Sequence, residues 1–290
     1  MIITRITGGL GNQMFQYAFG RELAERHDTE LKLDLGVYTD PRQRQEPERT
    51  YDLDIFNIRA TAASEDEIFR LAKRLRNDIA DRVLNRLLGV KAGHIREPHF
   101  HFSHQAYDSS DNVYLSGYWQ SPKYFRETEH LLRGEFTFRD PMSDNAVPIF
   151  DSISSTNSVC VHVRRGDFVI NPINGLYGAD YYKKAEELVL ERVSDPHYFV
   201  FSDDIEWCRS NLSFAGRTHF VDDDFGPRKF RDDLRLMSAC KHFVIANSSF
   251  SWWAAWLNAE PEKTVIAPAE WFRDPALDTK DLIPEEWLRI

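Results

Sequence analysis

The hydrophobic positions of the chain change period from block to block, and the changes predict its elements. Ile2 to Ile6 is a short apolar run that predicts a buried strand. After the glycine-rich stretch GGLGNQ, Phe15, Ala18, Phe19 and Leu23 share one face of a helix predicted over 14–27. LKLDL, 31–35, alternates as a second strand, so the N-terminus reads as a βαβ unit. Ser64 followed by Glu67 has the form of a capping box. Ile68, Leu71, Leu75, Ile79, Val83 and Leu87 then predict a long amphipathic helix over 64–89. Val113 to Ser121 reads as a strand end carrying aromatic and polar side chains.

Arg139 to Pro148, RDPMSDNAVP, has two prolines among polar residues and reads as a linker. Beyond it strands are predicted at 159–163, 198–201, 218–221, 243–246 and 264–267. Helices at 180–193, 203–211, 229–240 and 250–258 lie between them. This alternation implies an α/β chain with a parallel, doubly wound sheet. Such sheets bind ligands beyond the carboxyl ends of their strands. Arg164 and Arg165, Asp203 and Asp204, and Ser248 and Ser249 all fall at predicted strand ends of that kind.

The 290 residues allow two domains of about equal size or one large α/β domain. The formal net charge is −10, with 20 Lys and Arg against 22 Asp and Glu in residues 1–140 and 16 against 24 afterwards. That balance excludes a general affinity for nucleic acid, which needs a basic face over many phosphates. Any anion site must therefore be local. Three widely spaced cysteines, Cys160, Cys208 and Cys240, argue against a disulfide framework and fit a reducing compartment. No apolar run long enough for a leader or anchor precedes the glycines, so the expected location is cytoplasmic.

The paired arginines raise the sharpest chemical question. A turn beginning at Arg165 can swing both guanidinium groups to one spot, where they suit a diphosphate, with Asp167 orienting a guanidinium or the turn. The alternative is an Asp167 salt bridge beside one solvated arginine. In GGLGNQ, Gly9 and Gly11 let backbone N–H groups approach an anion, and Asp34 ends the next strand as a dinucleotide site would want. Met14 occupies the third position of that fingerprint, where Gly or Ala is needed, which weakens an NAD-dependent dehydrogenase reading. Ser248 or Asn247 can cap the next helix and leave a hydroxyl for phosphate, while Trp252, Trp253 and Trp256 recur at the spacing of core packing. Asp203 offers a carboxylate to a guanine edge and Asp204 an N-cap. The Asp222–Asp224 run contains Asp-x-Asp but reads as a solvated loop, because hard cations need several converging oxygens. Residues 68–96 hold eight Lys and Arg against two Asp, either a solvated face or a contact with an anionic membrane surface. Tyr107, Tyr118 and Trp119 leave room for a non-catalytic glycan-binding protein.

Taken in order, GGLGNQMFQYA, HVRRGDF, FSDD and DDLRLMSACKHFVIANSSFSWWAAW resemble the bacterial α-1,2-fucosyltransferases of glycosyltransferase family 11. The resemblance implies a GT-B-type architecture of two Rossmann-like domains facing across a cleft. Residues 1–145 would form a mainly acceptor-side domain and 146–290 a GDP-fucose-binding domain whose last residues pack back on the first. It further implies inverting transfer of L-fucose from GDP-fucose to the 2-hydroxyl of a galactoside, in an O-antigen, capsule or similar glycan. No metal or other cofactor is implied. Arg164 and Arg165 would neutralise the leaving diphosphate. His162 would contact the nucleotide and Asp203 would read guanine. Ser248, Ser249 and Phe250 would contact phosphate and fucose, and Asn12, in the turn of Gly9 and Gly11, would reach the donor. The glutamate that more distant fucosyltransferases carry after the arginine motif is missing from GDFVINPINGLYGAD. Asp34, Glu97, His99 and His101 are left as candidate bases by residue type alone.

Overall fold

The computed structural model describes residues 1–43, 49–72, 93–169 and 175–290. They form two compact units: Met1–Arg139 with Lys280–Leu282, and Asp140–Thr279 with Ile283–Ile290.

The first unit is built on a parallel sheet of β1 (Ile2–Arg5), β2 (Leu31–Asp34), β3 (Thr61–Ala62), β4 (His94–Arg96) and β5 (Val113–Ser116). Their order is β3-β2-β1-β5-β4. β1 lies at the centre, and its Ile2 and Ile3 are fully buried, as both faces of a parallel sheet are covered. The crossover helix α1 (Leu10–Arg26) starts four residues before the predicted position, directly from the glycine turn. It is buried around almost all its circumference, so its polar residues must find partners inside. Gln13 donates to the carbonyls of Gly8 and Thr50 and accepts from the Asp52 N–H. Glu22 accepts from the Thr128 N–H and hydroxyl and from the Tyr107 hydroxyl. α2 (Glu65–Ala72) opens with a reciprocal capping box, Ser64 Oγ accepting from the Glu67 N–H while the Glu67 carboxylate accepts from the Ser64 N–H at 2.9 Å. The continuation of the predicted helix to 89, and with it most of the basic 68–96 segment, lies outside the described residues.

The second unit carries β6 (Asn157–Val163), β7 (Pro196–Ser202), β8 (Arg217–Phe220), β9 (His242–Val244), β10 (Val265–Ala267) and β11 (Leu288–Arg289). These form one parallel sheet in the order β11-β10-β9-β6-β7-β8. The segment read as a linker becomes regular earlier than predicted: a 3₁₀ turn at Asp144–Ala146 leads into a helix at Val147–Ser155. Pro148 sits in that helix's first turn, where its missing N–H would have had no helical partner. Farther on come Ala179–Arg192, Ile205–Asn211, Lys229–Ala239 and Ser249–Leu257. The helices at 179–192 and 205–211 pack on Val159, Val161, Val163, Tyr198 and Val200 of the sheet through Tyr181, Tyr182, Ala185, Val189 and Cys208. Trp252, Trp253 and Trp256 are buried and packed on one another.

Candidate functional site

β6 and β7 run in parallel register through the pair Val163 and Ser202, so the residues just beyond them, Arg164 and Asp203, come side by side. Arg164 Nη1 meets Asp203 Oδ2 at 2.9 Å and its Nη2 meets Asp167 Oδ1 at 2.5 Å. One guanidinium is thus gripped by two carboxylates, with the Phe168 ring 5.5 Å from its carbon. The other Asp203 oxygen accepts from the Arg165 backbone N–H at 2.9 Å. Gly166 is required by this packing, since a Cβ there would stand 2.5 Å from Asp203 Oδ2.

The two arginines take separate partners, contrary to a single shared spot. Arg165 Nε donates to Asp204 Oδ2 at 3.0 Å, and its guanidinium lies 4.0 Å over the Trp207 ring. Asp204 also caps the 205–211 helix by accepting from the Trp207 N–H. Arg165 is drawn onto that helix by an acid and an aromatic face together. Asp203, offered by the sequence to guanine, has each oxygen on the arginine turn, with lone pairs left over on both.

His162, the penultimate residue of β6, is 6% exposed, and its Nδ1 has no partner among the described residues. Burial, with the Arg164 charge adding to it, pushes the imidazole down to about 3, so it is neutral at physiological pH. The Phe250 ring stands 6.1 Å from it. Phe250 belongs to the first turn of the 249–257 helix, which follows β9, the other neighbour of β6. Ser248 is the N-cap residue of that helix, and its hydroxyl makes no capping hydrogen bond. Asn247 precedes that cap, and its Nδ2 donates to the Trp271 carbonyl at 3.0 Å and the Gly175 carbonyl at 3.3 Å. The structure therefore brings His162, Arg164, Asp167, Asp203, Ser248, Ser249 and Phe250 to the carboxyl end of one sheet.

In the first unit, Gly8 takes φ +75° and Gly9 is the N-cap of α1, its carbonyl accepting from the N–H of Asn12 and Gln13. Gly11 is buried in the first turn. Asn12 Oδ1 accepts from Gln120 Nε2 at 2.7 Å. Asp34 is 2% exposed, with Oδ1 accepting from the Gly36 N–H and Oδ2 from the Tyr114 hydroxyl, so it holds β2 to β5 and does not reach a ribose. Asp222 pairs with Arg209, Asp223 faces His219, and Asp224 accepts from the Gly226 N–H. Those carboxylates turn to different partners, and no group of three metal-ligating side chains occurs among the described residues. Of the exposed-looking aromatics, Trp119 is fully buried and the Tyr107 hydroxyl is tied to Glu22, leaving Tyr118 at 43% exposed.

Glu97 carries no sequence signature, but it follows β4 directly and accepts from the backbone N–H of Tyr118 at 2.7 Å and of Trp119 at 2.9 Å. Burial raises its carboxyl to about 7 against the lowering effect of those two bonds. His99 and His101 stack on each other with ring centres 3.6 Å apart.

The family model described as Glycosyl transferase family 11 matches residues 65–290. The chain belongs to glycosyltransferase family 11. It is 36% identical over 306 residues to an alpha-1,2-colitosyltransferase of Escherichia coli, covering 100% of this chain and 99% of the relative. Over 155 residues it is 30% identical to galactoside alpha-(1,2)-fucosyltransferase 1 of Leontocebus fuscicollis, covering 49% of this chain and 42% of that protein. A GDP complex of an Arabidopsis thaliana FUT1 variant matches at TM-score 0.51 and 12% identity, covering 92% of this chain and 70% of that one. That likeness shows the fold, an α/β architecture of GT-B type. As a family 11 member the chain is a glycosyltransferase, which displaces both the dehydrogenase and the non-catalytic readings. No helix among the described residues is long and apolar enough to cross a membrane.

Proposed function

We propose that this family 11 enzyme transfers L-fucose from GDP-fucose to the 2-hydroxyl of a galactose-terminated glycan, with inversion and without a metal. The observation that carries the reading is Arg164, fixed between Asp167 and Asp203 at the carboxyl end of β6. As the bond from the anomeric carbon to the β-phosphate breaks, its electron pair stays on phosphate while positive charge develops on the sugar. A cation already held in place needs little reorganisation to meet that growing negative charge. Losing one such donor typically costs about 100- to 1,000-fold in rate. In metal-dependent transferases a divalent ion supplies this stabilisation. The Ser248 hydroxyl and the first-turn N–H groups of the 249–257 helix are suited to a phosphate oxygen. Neutral His162 offers Nδ1 to the nucleotide. Asp203 and Asp167 serve as positioning residues for Arg164, and Arg165 braces the turn from behind through Trp207.

The α-1,2 linkage is supported by the names of both relatives, and the galactoside acceptor by that of the second. The identity to a colitosyltransferase favours a second reading, in which the donor carries colitose in place of fucose. The test is to incubate the purified protein with excess EDTA, a galactoside acceptor and either GDP-fucose or an activated colitose, then determine the product linkage by NMR. An α-1,2-fucosyl product supports the proposal. Turnover of the colitose donor alone selects the second reading, and turnover of neither refutes both.

A further inference from the structure

We propose that Arg273 is a second cation of the donor site, holding the α-phosphate of the nucleotide while Arg164 holds the β-phosphate. The inference rests on the donor reading above and deepens it, and every residue it uses lies in the second unit.

The strand order β10-β9-β6 sets the segments that leave those three strands next to one another at the carboxyl end of the sheet, where parallel α/β sheets bind ligands. β6 leads to Arg164, β9 to Ser248 and the start of the 249–257 helix, and β10 to residues 268–273. Contacts on both sides of the helix start agree with that order. The Phe250 ring stands 6.1 Å from that of His162, on the β6 side. Asn247 donates to the Trp271 carbonyl, on the β10 side.

The segment after β10 is fixed residue by residue. The Ala269 N–H donates to the Ile290 carbonyl at 2.8 Å, the Glu270 carbonyl accepts from the Tyr177 hydroxyl, and the Trp271 carbonyl accepts from Asn247 Nδ2 at 3.0 Å. The same Asn247 amide reaches the Gly175 carbonyl at 3.3 Å, so one buried side chain ties together the segments that follow β6, β9 and β10. Gly175 makes room for Arg273. It takes φ +61°, and a Cβ there would stand 3.3 Å from the arginine's Cγ and 3.5 Å from its Nε. The arginine stem therefore lies against the Gly175 backbone, on a rigid base, and the residue remains exposed.

Arg164 and Arg165 each meet a carboxylate, but the Arg273 guanidinium makes no hydrogen bond or ion pair among the described residues. Asp274 beside it is used locally, its Oδ1 accepting from the Ala276 N–H at 2.9 Å. The Tyr177 hydroxyl feels the charges of both Glu270 and Arg273. Asp and Glu outnumber Lys and Arg by 24 to 16 after residue 140, so a guanidinium left free of carboxylates at the ligand-binding end is available to an anion. His162, at the same end, is 6% exposed with Nδ1 unpartnered among the described residues, which independently marks that end as a ligand site. Two linked phosphates can then span the helix start, one on each arginine, with the Ser248 hydroxyl and first-turn N–H groups between them. Arg164 takes the departing β-phosphate, and the α-phosphate is left for Arg273.

The experiment is calorimetric titration of the wild type, Arg273→Ala, Arg273→Gln and Arg164→Ala with GDP in excess EDTA, with GMP affinity read by displacement of GDP. Losing one charge-assisted contact typically costs about 10- to 150-fold in affinity. Arg273→Ala should weaken GDP and GMP alike by a factor in that range. Arg164→Ala should lose affinity for GDP and leave that for GMP within about twofold. Binding of both nucleotides by Arg273→Ala within about twofold of wild type overturns the inference. A loss confined to GDP overturns it too, because both arginines would then serve one phosphate. Should Arg273→Ala fail to fold, Arg273→Gln is read by the same criteria. A wild type that binds no GDP sinks the donor reading itself, a result separate from unchanged binding in Arg273→Ala.

Discussion

Gly166→Ala is a one-methyl test of the arginine clamp. The added Cβ would stand 2.5 Å from Asp203 Oδ2 and 3.2 Å from its Cγ, so the carboxylate must move. Moving it loosens two bonds at once: Arg164 Nη1 to Oδ2 at 2.9 Å, and the Arg165 N–H to Oδ1 at 2.9 Å. The stability cost is modest. The ion pair is partly exposed, with side chains 25% and 27% accessible, and pairs of that kind contribute about 0–1 kcal/mol. Crowding one methyl adds about 1–3 kcal/mol, less if the carboxylate swings freely. The functional cost is larger, because a displaced guanidinium forfeits most of what one positioned donor supplies, about 2.7–4 kcal/mol or 100- to 1,000-fold in kcat. The assay pairs a urea unfolding curve with initial rates at saturating donor. A variant that unfolds close to wild type yet transfers at 1% or less of its rate, on that same scale, agrees with the reasoning. Transfer within threefold of wild type refutes it, since the clamp would then not depend on the position of Asp203.

Other consequences follow from neighbouring contacts. Arg165→Ala loses the Asp204 pair and the Trp207 contact, so a thermal melt should fall by about 2–4 °C per kcal/mol lost, while transfer falls less than in Arg164→Ala. Glu135→Ala should destabilise the first unit by about 3–5 kcal/mol in urea titration, because buried Arg21 and the Tyr17 hydroxyl both depend on that carboxylate. Glu97 has a folded-state value near 7, above its unfolded one, so its protonated form favours folding at low pH and that contribution fades as pH rises towards and through 7. On going from pH 5 to pH 8 the unfolding midpoint should therefore fall further, or rise less, in the wild type than in Glu97→Gln, because buried His162, depressed to about 3, contributes the opposite trend to both; an equal signed change contradicts the assignment.

The second unit was largely legible because β6, β7, β9 and β10 are mostly buried apolar runs separated by helices, and each predicted strand there has a counterpart. What a single sequence could not give was register. Only the pairing of Val163 with Ser202 shows that Arg164 meets Asp203 and that Asp203 is engaged before any nucleotide arrives. The division of labour between Arg164 and Arg165 was hidden for the same reason, since Trp207 lies 42 positions from Arg165 in the chain and under it in space. β3, β4 and β11 are two or three residues long, too short to show a period. Proline misled at 148, where it begins a helix, and hydrophobic pattern could not tell exposed Tyr118 from buried Trp119. Glu97 had no motif to mark it; its environment is made by Gly117, Tyr118 and Trp119 arriving from the next strand.

The central claim is a guanine-diphosphate site built on Arg164 and needing no metal. It is tested most directly by calorimetric titration of the protein with GDP in excess EDTA, with UDP and NADH as controls and Arg164→Ala alongside. Binding of GDP alone, lost in a normally folded Arg164→Ala, is the predicted result. Binding of GDP only after magnesium or manganese is restored, or undiminished binding by Arg164→Ala, would contradict it.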